Sequence, residues 1–176
     1  MSVPETAEKI KSMEIRGAGR IARAAAEALR DHALSLRVKD LPAFTAEMEG
    51  AAETLVATRP TAVSLPNAVH IVMAGLDKAK DTEDARSGLV RRADGFIQSS
   101  RHAVENIARF GARHIRDGDT ILTHCNSEVA LGCIIEAHRS GKDIEVFATE
   151  VRPRNQGHIT IRTCLLYTSP SPRDCS

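Results

Sequence analysis

A cysteine at position 125 stands where one periodic pattern gives way to another. Ahead of it, Asp117-Gly118 is a turn signal, and in Asp119-Thr120-Ile121-Leu122-Thr123-His124 the residues Ile121 and Leu122 read as a short buried strand. Behind it, from Asn126, the residues Ala130, Cys133, Ile134 and Ala137 recur at helical spacing until Gly141 closes the helix. A side chain at the carboxyl end of a strand and the start of a helix meets N–H groups without intrahelical partners and the positive end of the helix dipole. Both a thiolate and a phosphate are anions, so this is a place for chemistry. Cys125 there suits a thiolate acting as general base, or a thiol acting as acid. A purely structural cysteine would fit the same position, and the local pattern leaves the two roles evenly matched.

Other cysteine chemistries are excluded by spacing. A tyrosine-phosphatase loop needs glycines and an arginine six positions after the cysteine; position 131 is Leu131, and no glycine lies between Asn126 and Leu131. A protease-type pair needs a histidine facing the sulfur. His124 is adjacent on a strand and so points to the opposite side of the sheet. The four cysteines, Cys125, Cys133, Cys164 and Cys175, contain no CxxC pair, so no zinc site or other metal is expected. Cys133 lies on the apolar face of its helix and reads as a buried small hydrophobe.

Two further stretches could hold an anion. Glu14-Ile15-Arg16-Gly17-Ala18-Gly19-Arg20 is a glycine-rich turn opening a helix, in which backbone N–H groups can cradle a phosphate and Arg16 or Arg20 can add charge-assisted bonds. Close packing of two helices would also use Gly-Ala-Gly. In Thr58-Arg59-Pro60-Thr61-Ala62-Val63-Ser64-Leu65-Pro66-Asn67 two prolines fix a rigid connection, and Arg59 is held in an extended conformation before the first. A rigidly held arginine suits bidentate phosphate recognition, although a solvated surface arginine is equally consistent.

The elements that must position these residues are mostly helical up to about residue 116. Ile21, Ala25, Ala28, Leu29, His32 and Leu36 form one stripe; Asp40 caps a helix with Pro42 in its first turn and Leu41, Phe44, Met48, Ala51, Ala52 and Leu55 inward. Pro66 begins another helix, with Val69, Val72, Met73 and Leu76 inward and His70 solvated. Asp81 to Asp84 start a long helix through Leu89, Ala93, Phe96, Ile97, Ser100, Val104, Ile107 and Ala108. Its arginines, Arg86, Arg91, Arg92, Arg101, Arg109, Arg113 and Arg116, have acids interspersed among them and read as a solvated face. From about 117 the pattern becomes strand, helix, strand, the second strand being Asp143 to Thr149, which is a parallel βαβ unit. The fold class is therefore α/β: an all-helical domain over 1–116, then a truncated Rossmann-like parallel α/β domain over 117–163. A two-stranded parallel sheet with open edges should be unstable or sticky.

The chain of 176 residues is 42% hydrophobic, enough for a core, and its net charge of +1 gives no case for nucleic acid or an anionic membrane. It has no apolar run of membrane-spanning length and no signal-peptide core near Met1, which points to a cytoplasmic protein with reduced cysteines. Residues 164–176 break the composition: they hold the only Tyr, Tyr167, two of the seven prolines and two of the four cysteines. Cys164-Leu165-Leu166-Tyr167-Thr168-Ser169-Pro170-Ser171-Pro172-Arg173-Asp174 back-translates into a sequence resembling a transposon adapter used in library preparation. These residues read as a foreign, disordered tail on a gene fragment, to be set aside from the fold.

Four stretches occur together in order: Arg16-Gly17-Ala18-Gly19; Thr58 through Asn67; Thr123-His124-Cys125-Asn126-Ser127; and Thr149-Glu150-Val151-Arg152-Pro153-Arg154-Asn155-Gln156-Gly157. In this set the chain resembles the N-terminal half of the archaeal-type ribose-1,5-bisphosphate isomerases. These belong to the superfamily of the initiation factor 2B alpha, beta and delta subunits and the methylthioribose-1-phosphate isomerases. The resemblance implies conversion of ribose 1,5-bisphosphate to ribulose 1,5-bisphosphate in AMP degradation, with no cofactor. It implies Cys125 as the catalytic base. Arg16, Gly17, Ala18, Gly19, Arg59, Ser127, Glu128 and Val129 would hold substrate, with Gln156 as a weaker transfer. It also implies a homo-oligomer in the full-length family and AMP as a candidate activator. Glu128 replaces a lysine of some relatives, so contact there would use its backbone N–H. The family's catalytic Asp and the Asn-Lys pair after it would fall beyond Thr163, so the chain as written is expected to be inactive. A methylthioribose-1-phosphate isomerase, which carries Pro where Gly19 stands, and a non-catalytic initiation factor 2B-like regulatory subunit are the competing readings.

Overall fold

The computed structural model describes residues 1–150 and 152–168. In chain order its elements are α1 (Val3–Lys11), α2 (Ala18–Ser35), α3 (Leu41–Val56), α4 (Ser64–Met73), α5 (Thr82–Gly111), β1 (Thr120–His124), α6 (Glu128–Arg139), β2 (Glu145–Thr149) and α7 (Gln156–Thr168). Two compact units result, Met1–Ser100 and the chain from Arg101 onward, and the division falls within α5. Among the described residues no helix is long and apolar enough to cross a membrane.

The first unit is built from capped amphipathic helices. The Ser2 hydroxyl accepts the Glu5 N–H at 3.3 Å, Asp40 accepts the Ala43 N–H at 3.0 Å and Asp81 accepts the Asp84 N–H at 2.8 Å. Such caps are worth about 1 kcal/mol each. The alanine-rich α2 packs against α1, α3 and α4. Its Ala25, Ala26, Leu29 and Ala33 are buried among Phe44, Met48 and Leu55 of α3, Leu65 and Val72 of α4, and Leu89 of α5.

The long helix departs from its predicted solvated face. Arg86 turns inward, donating to the carbonyls of Ala33 and, at 2.9 Å, Leu36, while its guanidinium lies 5.1 Å from the Phe44 ring centroid. Arg92 donates to the Val72 carbonyl at 3.0 Å. The carbonyls at the C-terminal ends of α2 and α4 lack intrahelical donors, and a cation there also meets the negative end of the dipole. Two arginines read as surface charge are thus helix caps. The apolar stripe of α5 is buried at Leu89, Ala93 and Ile97, but Ile107 is exposed.

In the second unit β1 and β2 pair in parallel, as the βαβ reading predicts, with Leu122 opposite Phe147 and His124 opposite Thr149. Leu122, however, is 72% exposed, and Phe147 is 52% exposed. The expected buried pair Ile121-Leu122 is overturned by the period of two. Ile121 and Thr123 take the covered side of β1, and Leu122 the uncovered one. α5 and α6 approach at glycine: a Cβ on Gly111 would collide with the Cys133 sulfur, and one on Gly132 would come within 2.9 Å of the Ala108 Cβ.

The sequence pattern did not anticipate α7. This helix carries through Cys164 to Thr168, so the start of the tail is helical rather than disordered. A change in composition does not by itself end a helix: Cys164, half-buried, continues the face that holds buried Thr160. Val151 and residues 169–176, including the prolines of the tail, lie outside the described residues.

Candidate active site

The predicted site residues fall into two groups, one on each unit. In the second unit, the switch from β1 to α6 is made at Cys125, whose φ is 59°. That left-handed conformation costs a residue with a Cβ roughly 1–2 kcal/mol, so something must hold it. Thr160 of α7 does: its hydroxyl donates to the Cys125 carbonyl at 2.7 Å and accepts from the Asn126 side-chain N–H at 3.1 Å. Thr160 is 1% exposed and Asn126 is 5% exposed, while the Cys125 side of the turn is half-buried. The other amide atom of Asn126, Oδ1, is buried without a hydrogen-bond partner among the described residues. A lone buried acceptor costs about 1–3 kcal/mol, which a donor from a ligand would recover.

Ser127 is the N-cap of α6. Its hydroxyl accepts the Ala130 N–H at 3.3 Å, and the helical ladder begins with the Leu131 N–H bonded to the Ser127 carbonyl at 3.0 Å. Glu128 and Val129, both half-buried, form the first turn, where amides have no intrahelical carbonyl to meet. His124, the last residue of β1, has its Nδ1 2.6 Å from the hydroxyl of Thr149, its register partner on β2.

The start of α7 is closed by the chain's own carboxylate. Glu150 accepts the His158 N–H at 3.0 Å, and its oxygen lies 3.9 Å from His158 Nε2. Gly157 lets this start sit against the end of β2: a Cβ there would meet the Thr149 carbonyl and come within 3.0 Å of the Glu150 Cα. Gln156 is the half-buried first residue of that helix. The sequence reading missed both Thr160 and the Glu150 cap; a threonine four positions after Gln156, on the inner face of an unrecognised helix, was the available signal.

In the first unit, Gly17 is the N-cap of α2 with φ 91°, and Ala18 and Gly19 open the helix. A glycine cap offers no side-chain oxygen to the first-turn donors, so a bound anion could satisfy them. Arg16 precedes this start, its Nε donating to the Met13 carbonyl at 2.6 Å. Arg59 is half-buried in a turn over Pro60-Thr61, closed by the Ala62 N–H on its carbonyl at 3.0 Å. A cavity of about 280 Å³ under α6 and α7, lined by Ile134, Val146, Thr160 and Cys164 among others, contains none of the predicted site residues. Among the described residues no cluster of three or more His, Cys, Asp or Glu side chains is placed to hold a metal ion.

A helical unit leading into a parallel α/β unit is the architecture of the initiation factor 2B and methylthioribose-phosphate isomerase fold. The model of the Initiation factor 2 subunit family matches residues 14–168, and the chain belongs to that family. It is 53% identical over 165 residues to a ribose 1,5-bisphosphate isomerase of Methanocaldococcus jannaschii, covering 94% of this chain and 52% of that protein. It is 46% identical to the Thermococcus kodakarensis protein of the same name, covering 96% and 53%. The chain thus spans about half the length of the curated relatives it matches. Among solved structures it superposes on 5-methylthioribose 1-phosphate isomerase of Pyrococcus horikoshii with a TM-score of 0.83 at 28% identity, covering 97% of this chain and 50% of that one.

Proposed function

We propose that the protein to which this chain belongs is an aldose–ketose isomerase converting ribose 1,5-bisphosphate to ribulose 1,5-bisphosphate. The observation that carries this reading is Cys125 itself, a half-buried thiol in a left-handed turn just ahead of α6. Isomerisation moves one proton between adjacent carbons and another between oxygens, so it needs a base close to a bound anionic sugar. Cys125 serves as that base. Ser127, Glu128 and Val129 offer the amide start of α6 to one phosphate. Arg16, Gly17, Ala18, Gly19 and Arg59 take the remaining phosphate and ribose groups.

Identity supports the bisphosphate over the methylthioribose substrate: 53% to a ribose 1,5-bisphosphate isomerase, against 38% to the methylthioribose-1-phosphate isomerase of Thermosipho africanus. Gly19 agrees, because it supplies an N–H where the second class carries proline. A retained thiol at a helix start disfavours a purely regulatory subunit. The reading includes a cytoplasmic homo-oligomer activated by AMP.

The test is a chimera in which this chain, through Thr163, replaces the matching half of the Methanocaldococcus jannaschii relative. The chimera should turn over ribose 1,5-bisphosphate, and Cys125→Ser in it should lower kcat by about a thousandfold or more, the scale of losing a reacting group. Retained turnover in the serine variant removes Cys125 from the chemistry. Turnover of methylthioribose 1-phosphate instead moves the chain to the other substrate class.

A further inference from the structure

We infer that Thr160 is a positioning residue for the Cys125 site, fixing the direction of the Cys125–Asn126 peptide; this rests on the reading of Cys125 as the reacting group. In a trans peptide the C=O and the following N–H point in opposite directions. The Thr160 hydroxyl binds the Cys125 carbonyl at 2.7 Å, so the Asn126 N–H is aimed away from α7. The same hydroxyl accepts from the Asn126 side chain at 3.1 Å. One buried oxygen therefore holds both the backbone carbonyl before the peptide link and the side chain after it. It does so at a residue whose φ of 59° would otherwise relax to the right-handed side. A peptide of this kind has two discrete orientations, and the bond from Thr160 selects the one in which the Asn126 N–H points away from α7. Serine keeps the hydroxyl; valine keeps the shape and burial but can neither donate nor accept. Thr160 also lines the cavity beneath α6 and α7.

The test is performed on the full 176-residue chain. Cys125 and Cys133 alkylation by iodoacetamide is followed by peptide mass mapping in the parent, Thr160→Val and Thr160→Ser, with thermal melts of each. With Thr160→Val, the Cys125 rate should fall about threefold or more relative to Cys133, the scale of one lost hydrogen bond. Thr160→Ser should restore it to within about twofold, and the Cys133 rate should stay constant throughout. An unchanged Cys125 rate in the valine variant overturns the inference. So does a parallel rise at Cys125 and Cys133 with a lowered melting temperature, which would make Thr160 a packing residue only. Thiol reactivity needs no turnover, so a failure here is separate from a failure of the chimera's Cys125→Ser test.

Discussion

Cys125 lies at the junction of β1 and α6, Cys133 lies within α6, and the two differ in surroundings. Cys133 packs against Gly111 and donates weakly to the Ile107 carbonyl at 3.5 Å. Burial there pushes its thiol above the ordinary range. The folded chain consequently holds that proton where the unfolded chain, titrating near about 8.5, has begun to lose it. The folded state binds more protons in that window, so the thiol's contribution is intact below it and stability declines as pH rises through it. Urea unfolding between neutral and alkaline pH should show a steeper decline in the parent than in Cys133→Ala; equal slopes would mean that the thiol is solvated. At this scale the sequence was informative about which residues could react. The place of Cys125 at the switch from strand to helix follows from the change of hydrophobic period. Thr160 and the left-handed φ of Cys125 do not, because a contact between residues 35 apart has no local signature.

At the scale of elements, two junctions bear most of the geometry. Where α5 meets α6, Gly111 and Gly132 are there for clearance rather than for backbone freedom: Gly111 has an ordinary helical φ of −62°. Gly111→Ala should cost about 1–3 kcal/mol by overpacking, and Cys133→Ala in the same chain should return part of it, because the colliding sulfur is gone. Additive losses in denaturant titrations would show that the two do not meet. Where β2 meets α7, Glu150→Gln should cost about 1 kcal/mol by weakening a charged cap, seen as earlier loss of helical signal on heating. The start of α3 was legible because Asp40, a capping side chain, precedes its first turn. The start of α7 was not, because its cap comes from Glu150, several residues upstream and on the far side of a turn. The inward arginines of α5 escaped for a related reason: Arg86 and Arg92 look like their solvated neighbours until the carbonyls of α2 and α4 are placed beside them.

On the scale of the whole molecule, the hydrophobic period changes near residue 117, while the compact division falls earlier, inside α5. A long helix carries its pattern through a boundary, so periodicity alone does not locate it. The uncovered side of the sheet has a consequence of its own. Leu122 and Phe147 lie opposite each other in register and form a small greasy ledge beside strand edges that are unpaired among the described residues. Light scattering from purified protein should grow with concentration and salt, and Leu122→Lys should flatten that rise while leaving the melting temperature nearly unchanged; a rise that survives the substitution would place the sticky surface elsewhere. Inside a crowded cell, the same ledge is a surface for a holdase chaperone to grip.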